Sequence, residues 1–425
     1  MSHPTKAKHH PLTPGQFAAL ARGEGGVDAI AALVAAQTSK HMILLAEVVT
    51  RARRRGQPED RVALAGSELL ALVQREDPAV AREVMSYPSV GTWALETLGG
   101  NQSAPDARPS GLAAVAAAAA IRAGVDAEIE VPVMDGSVML PSLGAARAEG
   151  DTAIVRTGTA EIRSGALLVE ARQGRPGWRE LREAEVGGHR ILIDDLDPFR
   201  LRAPECEQAG RLESAEVADL TAMLRAGWKV LSPASAAEVA GVVRVIVPFR
   251  IPDPGHVSTT SSLAFGTIGT SRPPDKYTCA ETLAHETQHL KLAALLDLVT
   301  LTKPDDGPRY YAPWRKDPRP VSALLQGAYA FLGVSRFWRE QRTVAPEPEA
   351  RRRAETEFAR WRDGAARVAE TLLSSGQLTQ DGVAFVGEMA RILGAWQREP
   401  VPSEAVVLAR QTADRHLAQW QADNG

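Results

Sequence analysis

The stretch Ala280-Glu-Thr-Leu-Ala-His-Glu-Thr-Gln-His-Leu-Lys-Leu-Ala-Ala-Leu-Leu-Asp-Leu298 contains His285-Glu286-Thr287-Gln288-His289 and neither Gly nor Pro. Good helix formers fill it, so it predicts an α-helix over Glu281–Val299. Residues four apart share a helical face, which lets the imidazoles of His285 and His289 converge on one point. Such a point suits a divalent metal. Glu286, one residue further round, can reach a metal-bound water or an adjoining substrate without being a ligand itself.

Beyond the motif, a third protein ligand is not obvious. No His follows His289 until His416, and Asp297 lies eight residues on, about 12 Å further along the axis. The next helix is expected from Val321 to about Arg342, where Ala323, Gly327, Ala330 and Val334 form a small-residue strip able to pack closely on another helix. That packing makes Gln326, Tyr329 and Glu340 candidates to point at the metal, as third ligand or as support for one. His256 is the nearest other histidine in sequence and a further candidate. Cys279, just ahead of the motif, reads as a small buried side chain.

Upstream, Val242–Phe249 is the strongest strand pattern and Ser262–Thr270 a second. If the second lies beside the metal with an unpaired edge, it can hold an extended peptide along 263–270, with Phe265, Gly266 and Thr267 as contacts.

The fold expected is α+β and mostly helical. A helical N-terminal region covers residues 1–125, with Thr13-Pro14 opening its first helix, a long amphipathic helix or two abutting ones from Val27 to Arg55 and an alanine helix closing near Gly124. A β-rich, antiparallel insert or domain covers 126–205, punctuated by Asp135-Gly, Gly150-Asp and Gly165. Residues 206–425 form the metal-site region, built on a zincin-like HExxH helix and ending in a helical pair near Ala422. Asp194-Asp-Leu-Asp-Pro198 has the composition of a cation site but reads better as a turn with capping aspartates. Trp361, Trp396 and Trp420 are expected to pack.

The chain has 425 residues, with 44 % hydrophobic and 24 % charged, which suits a globular protein of two or three domains. A net charge of −3 argues against a simple electrostatic nucleic-acid binder. Two cysteines, Cys206 and Cys279, build neither a disulfide framework nor a cysteine metal site. The polar first ten residues lead into no long apolar run, and Ala113–Ile121 is too short to span a bilayer. No membrane partner is therefore expected, and the cytoplasm is the natural compartment. The oligomeric state is not legible.

Two histidines with open positions suit non-haem Fe(II) when a carboxylate or its substitute completes the set. An oxygenase that uses 2-oxoglutarate must also hold a dicarboxylate beside the metal, which calls for fixed guanidinium forks. Arg315 and Arg319, on the Pro-rigid Arg309–Pro320 loop, are the candidates, with pairing to Asp317 as the plainer reading.

Several blocks together resemble one family. They are Phe17-Ala-Ala-Leu-Ala-Arg-Gly-Glu-Gly25, Ala36-Gln-Thr-Ser-Lys-His-Met-Ile-Leu-Leu45, the run from His285 to Leu298, Tyr311-Ala-Pro-Trp-Arg-Lys-Asp-Pro-Arg-Pro320 and Leu324-Leu-Gln-Gly-Ala-Tyr-Ala-Phe331. They look like the HExxH-motif peptide-modification proteins of ribosomal-peptide (RiPP) gene clusters. The resemblance implies an Fe(II)- and 2-oxoglutarate-dependent β-hydroxylase acting on a ribosomally made precursor peptide, with His285 and His289 as metal residues. In that family a His often stands where this chain has Gln326 or Phe331. The alternatives are a Zn(II) metallopeptidase using Glu286 as general base, and a peptide-binding module that keeps the motif without turnover. The residue at Gln326 would favour the second.

Overall fold

Rigid-φ prolines and capping side chains set most helix starts. Pro14 follows Thr13, whose Oγ1 accepts from the Gln16 amide at 3.2 Å while Gln16 Oε1 accepts from the Thr13 amide at 2.9 Å. The computed structural model describes residues 10–99, 107–250 and 255–424, so the loops expected over 99–111 and 251–260 lie partly outside the described residues. Six helices come first: α1 (Pro14–Ala21), α2 (Gly26–Arg55), α3 (Pro58–Glu76), α4 (Pro78–Met85), α5 (Pro88–Gly99) and α6 (Gly111–Ala123). Nine strands follow: β1 (Glu128–Pro132), β2 (Ser137–Leu140), β3 (Gly144–Arg147), β4 (Thr152–Arg156), β5 (Glu161–Ser164), β6 (Leu167–Glu170), β7 (Trp178–Glu180), β8 (Arg182–Val186) and β9 (His189–Ile193). Then come α7 (Ser214–Trp228), α8 (Pro233–Val242), β10 (Val245–Pro248), β11 (Ser258–Thr259) and β12 (Thr267–Thr270). The chain ends with α9 (Lys276–Leu296), α10 (Val321–Val344), α11 (Pro348–Ser374), α12 (Gln380–Gln397) and α13 (Ser403–Asn424). The fold is α+β and mostly helical, as expected.

Contacts divide the described chain into two units that interleave along the sequence. The first holds residues 35–222 and 243–272; the second holds 10–34, 223–242 and 273–424. A boundary at 205/206 does not separate them, because strands on either side of it pair: β9 and β10 run parallel, with Val245 opposite Leu192.

In the first unit, α6 is buried along Ala116–Ala120, and its alanines let α3 approach so closely that a Cβ on Gly66 would meet the Ala113 backbone at 2.8 Å. Gly124 ends α6 with a φ of 67°, the left-handed cap that glycine adopts without strain. Two antiparallel sheets, β1-β4-β5-β6 and β2-β3-β7, realise the predicted β-rich stretch. The third sheet has the order β11-β12-β10-β9-β8, with a parallel centre and antiparallel edges. The Asp194–Asp197 turn is capped from within: Asp194 Oδ1 accepts from the amides of Leu196 and Asp197, Asp194 Oδ2 takes the Tyr87 hydroxyl at 2.7 Å, and Asp197 Oδ2 takes the Ser89 hydroxyl at 2.6 Å. Burial, then the charge of Asp194, pushes the Asp197 carboxyl up to about 7.

The second unit is an all-helical assembly around α9 and α10. Its tail is three helices and not the expected pair, because Gly376, at φ 68°, separates α11 from α12, and Pro400 and Pro402 separate α12 from α13. Of all the described helices, α2 alone is long and apolar enough by length and composition to cross a membrane; its Leu33, Val48 and Ala52 are buried inside the protein.

Candidate metal centre

Helix α9 starts where Asp275 Oδ1 accepts from the amides of Tyr277 and Thr278, at 2.7 and 2.9 Å. It packs antiparallel on α10: Tyr277 stacks on Trp338, His285 meets Phe331, and His289 faces Gln326. Gly333 permits the approach, since a Cβ there would lie 2.5 Å from Cγ of Gln288. Gly327, expected in the same strip, serves a different neighbour. Its missing Cβ leaves room for the Trp314 indole, whose Nε1 would lie 2.4 Å away from a methyl there.

Past the motif, the buried Lys291 ammonium donates to the Gly23 carbonyl at 3.0 Å and to Glu238 Oε2 at 2.7 Å. Burial lowers its pKa to about 8. These bonds fix the rotation of α9 about its own axis.

With α9 so held, Nε2 of His289 lies 3.1 Å from Nε2 of His285. The ring centroids are 4.8 Å apart and the planes cross at 71°. Two nitrogens bound to one metal at about 2.1 Å are separated by about 3.0 Å at right angles and about 3.4 Å at the tetrahedral angle, so this pair, 3.1 Å apart, fits a shared cation. Burial, then the nearby His289, holds the His285 imidazole well below its usual pKa, leaving it neutral with a lone pair to donate. Gln326 Oε1 sits 3.4 Å from Nδ1 of His289, on the far side of that ring from its Nε2. It is thus placed to orient the ring, not to supply a third bond.

An aromatic wall flanks the pair. His285 meets Phe331 edge-on at 5.1 Å; Phe331 in turn stacks on Trp314 at 4.6 Å and lies 4.2 Å from Trp361. Trp361 is therefore packing, as expected, but packing at the site. Glu286 is 2 % exposed, on the buried side of α9.

Glu281 was not among the sequence candidates. It precedes His285 by one helical turn, so Glu281, His285 and His289 share a face. Burial pushes its carboxyl up to about 7. The i−4 spacing was a readable signal for its direction.

The remaining candidates have surroundings of their own. Tyr329 is 1 % exposed and its hydroxyl donates to the Leu20 carbonyl at 2.7 Å, so it turns away from the imidazoles. Glu340 lies 14 residues along α10 from Gln326, about 21 Å by helical rise, too far to bind with His289. His256 belongs to the first unit, with Nδ1 3.1 Å from Ser271 Oγ. Phe265, Gly266 and Thr267 are also in the first unit and buried. β12 is bonded by β10 along Thr267–Thr270 and by β11 at Gly269 and Thr270, and the Gly266 carbonyl already accepts from the Arg244 and Val245 amides. Arg315 and Arg319 both donate to Asp317, at 2.9 and 2.8 Å. Their loop is pinned by the Tyr310–Arg319 bridge, whose two backbone hydrogen bonds are both 2.8 Å.

Among the described residues, no third His, Cys, Asp or Glu joins the two histidines. Cys279 is 1 % exposed, and burial pushes its thiol up to about 12, as a packing residue. No protein-family model matches this chain, and no curated protein matches it.

Proposed function

We propose that His285 and His289 hold one Fe(II) ion and that the protein is a cytoplasmic 2-oxoglutarate-dependent hydroxylase acting on the β-carbon of a residue in a ribosomally made peptide. One observation carries the reading: the Nε2 atoms of His285 and His289 are 3.1 Å apart. When bound, the iron would supply dioxygen activation coupled to oxidative loss of carbon dioxide from 2-oxoglutarate. The protein's own part is to hold two imidazoles with their Nε2 atoms converging, with Gln326 accepting from Nδ1 of His289 so that Nε2 keeps its lone pair. Phe331, Trp314 and Trp361 keep water from one side of the centre. A centre with only two protein donors leaves more positions for small-molecule ligands than a three-ligand zinc peptidase site does, which favours an oxygenase.

The test is to incubate the protein with Fe(II), 2-oxoglutarate and the peptide encoded beside its gene, and to weigh the product. Gain of one oxygen atom, lost in His285→Ala, supports the proposal. Cleavage of the peptide under Zn(II) would instead support a peptidase with Glu286 as base. Tight peptide binding with neither outcome would leave a binding module.

A further inference from the structure

With Arg315 and Arg319 drawn onto Asp317, the histidine site needs another cation if it is to hold a carboxylate. Arg360, on α11, stands two aromatic rings from His285: its guanidinium carbon lies 4.0 Å over the Trp361 ring, and Trp361 contacts Phe331, which contacts His285. Its charge is felt by Glu281, one turn before His285, and by Tyr311 and His416 on the other side. These groups come from α9, the 310–320 loop and α13, so Arg360 lies within electrostatic reach of three separate segments.

Arg353 is held by Asp275 and Thr278, at 3.1 and 3.0 Å. Arg360, by contrast, donates no hydrogen bond among the described residues; its nearest acid, Glu357, is 3.8 Å away, an ion pair too long for one. Both side chains of that pair are only 26 % exposed. A guanidinium seated on an indole and donating no hydrogen bond is held in place with N–H groups to spare, the arrangement that receives a planar carboxylate.

We infer that Arg360 is the carboxylate anchor of the His285–His289 site, taking the distal carboxylate of a 2-oxo dicarboxylic acid whose other end binds the metal. This rests on the oxygenase reading above. It assigns to α11 the role that sequence alone gave to the loop before α10.

The experiment is titration of 2-oxoglutarate into the Ni(II)-loaded full-length protein, followed by calorimetry and by tryptophan fluorescence, since Trp361 lies under the guanidinium. Arg360→Ala should bind Ni(II) as the wild type does yet weaken 2-oxoglutarate about tenfold or more. Arg360→Lys should keep part of the affinity, and Arg315→Ala and Arg319→Ala all of it. Unchanged 2-oxoglutarate affinity in Arg360→Ala, or a loss confined to Arg315→Ala or Arg319→Ala, overturns the assignment. A wild type that binds Ni(II) but not 2-oxoglutarate overturns the oxygenase reading and this inference with it. Ni(II) affinity and the thermal midpoint of Arg360→Ala separate a lost anchor from a lost fold.

Discussion

The amide oxygen of Gln326 lies 3.4 Å from Nδ1 of His289, while the opposite nitrogen of the same ring lies 3.1 Å from His285. An acceptor at Nδ1 selects the tautomer whose Nε2 is free to bind. Gln326→Leu should therefore weaken Ni(II) binding about tenfold or more with helicity unchanged, and Gln326→Glu should strengthen it, both read by calorimetry. Equal affinity in all three proteins would remove the orienting role.

Glu281 gives the site a pH signature. Its folded pKa of about 7 stands above its ordinary 4.5, so between those values the folded state binds more protons than the unfolded. Stability contributed by this group must fall as pH rises from 4.5 to 7, by about 3 kcal/mol at most. Glu281→Gln should flatten that part of the urea-denaturation profile and leave the protein more stable than wild type at pH 8. A parallel pair of profiles would show that the carboxyl is not buried as described.

Lys291 is fully buried against Glu238 and the Gly23 carbonyl. Lys291→Ala strips Glu238 of its closest cation, leaving Arg336 at 3.6 Å, and opens a cavity. A loss of about 3 kcal/mol is expected from urea unfolding. Lys291→Met, which keeps the buried methylenes, should cost less.

Gly327 has no room for a methyl beneath Trp314. Gly327→Ala should lift the indole off Phe331, shift tryptophan emission to longer wavelength and cost about 1–3 kcal/mol. Emission unchanged from wild type would mean that the loop absorbs the methyl.

Local chemistry was the legible part. The α1 capping box, the alanine run of α6 and the histidine spacing on α9 all depend on neighbours within a few residues, and each stands where the residues put it. The pairing of β12 on both flanks depends on β10 and β11 arriving from elsewhere in the chain, which no local pattern encodes. Arg315 and Arg319 both pair with Asp317, the plainer of the two readings that the residues of their loop offered. Glu281 had a readable direction, but its burial comes from neighbours on α10 and α11 that only the packed structure brings near.

The hold on Lys291 has a consequence for metal capture. Because the ammonium fastens α9 one half-turn past His289, the entropy of orienting both imidazoles is surrendered during folding and not at the encounter with the ion. Preorganisation of this kind raises affinity without adding a single contact to the ligand, and it would serve the metal proposed for His285 and His289.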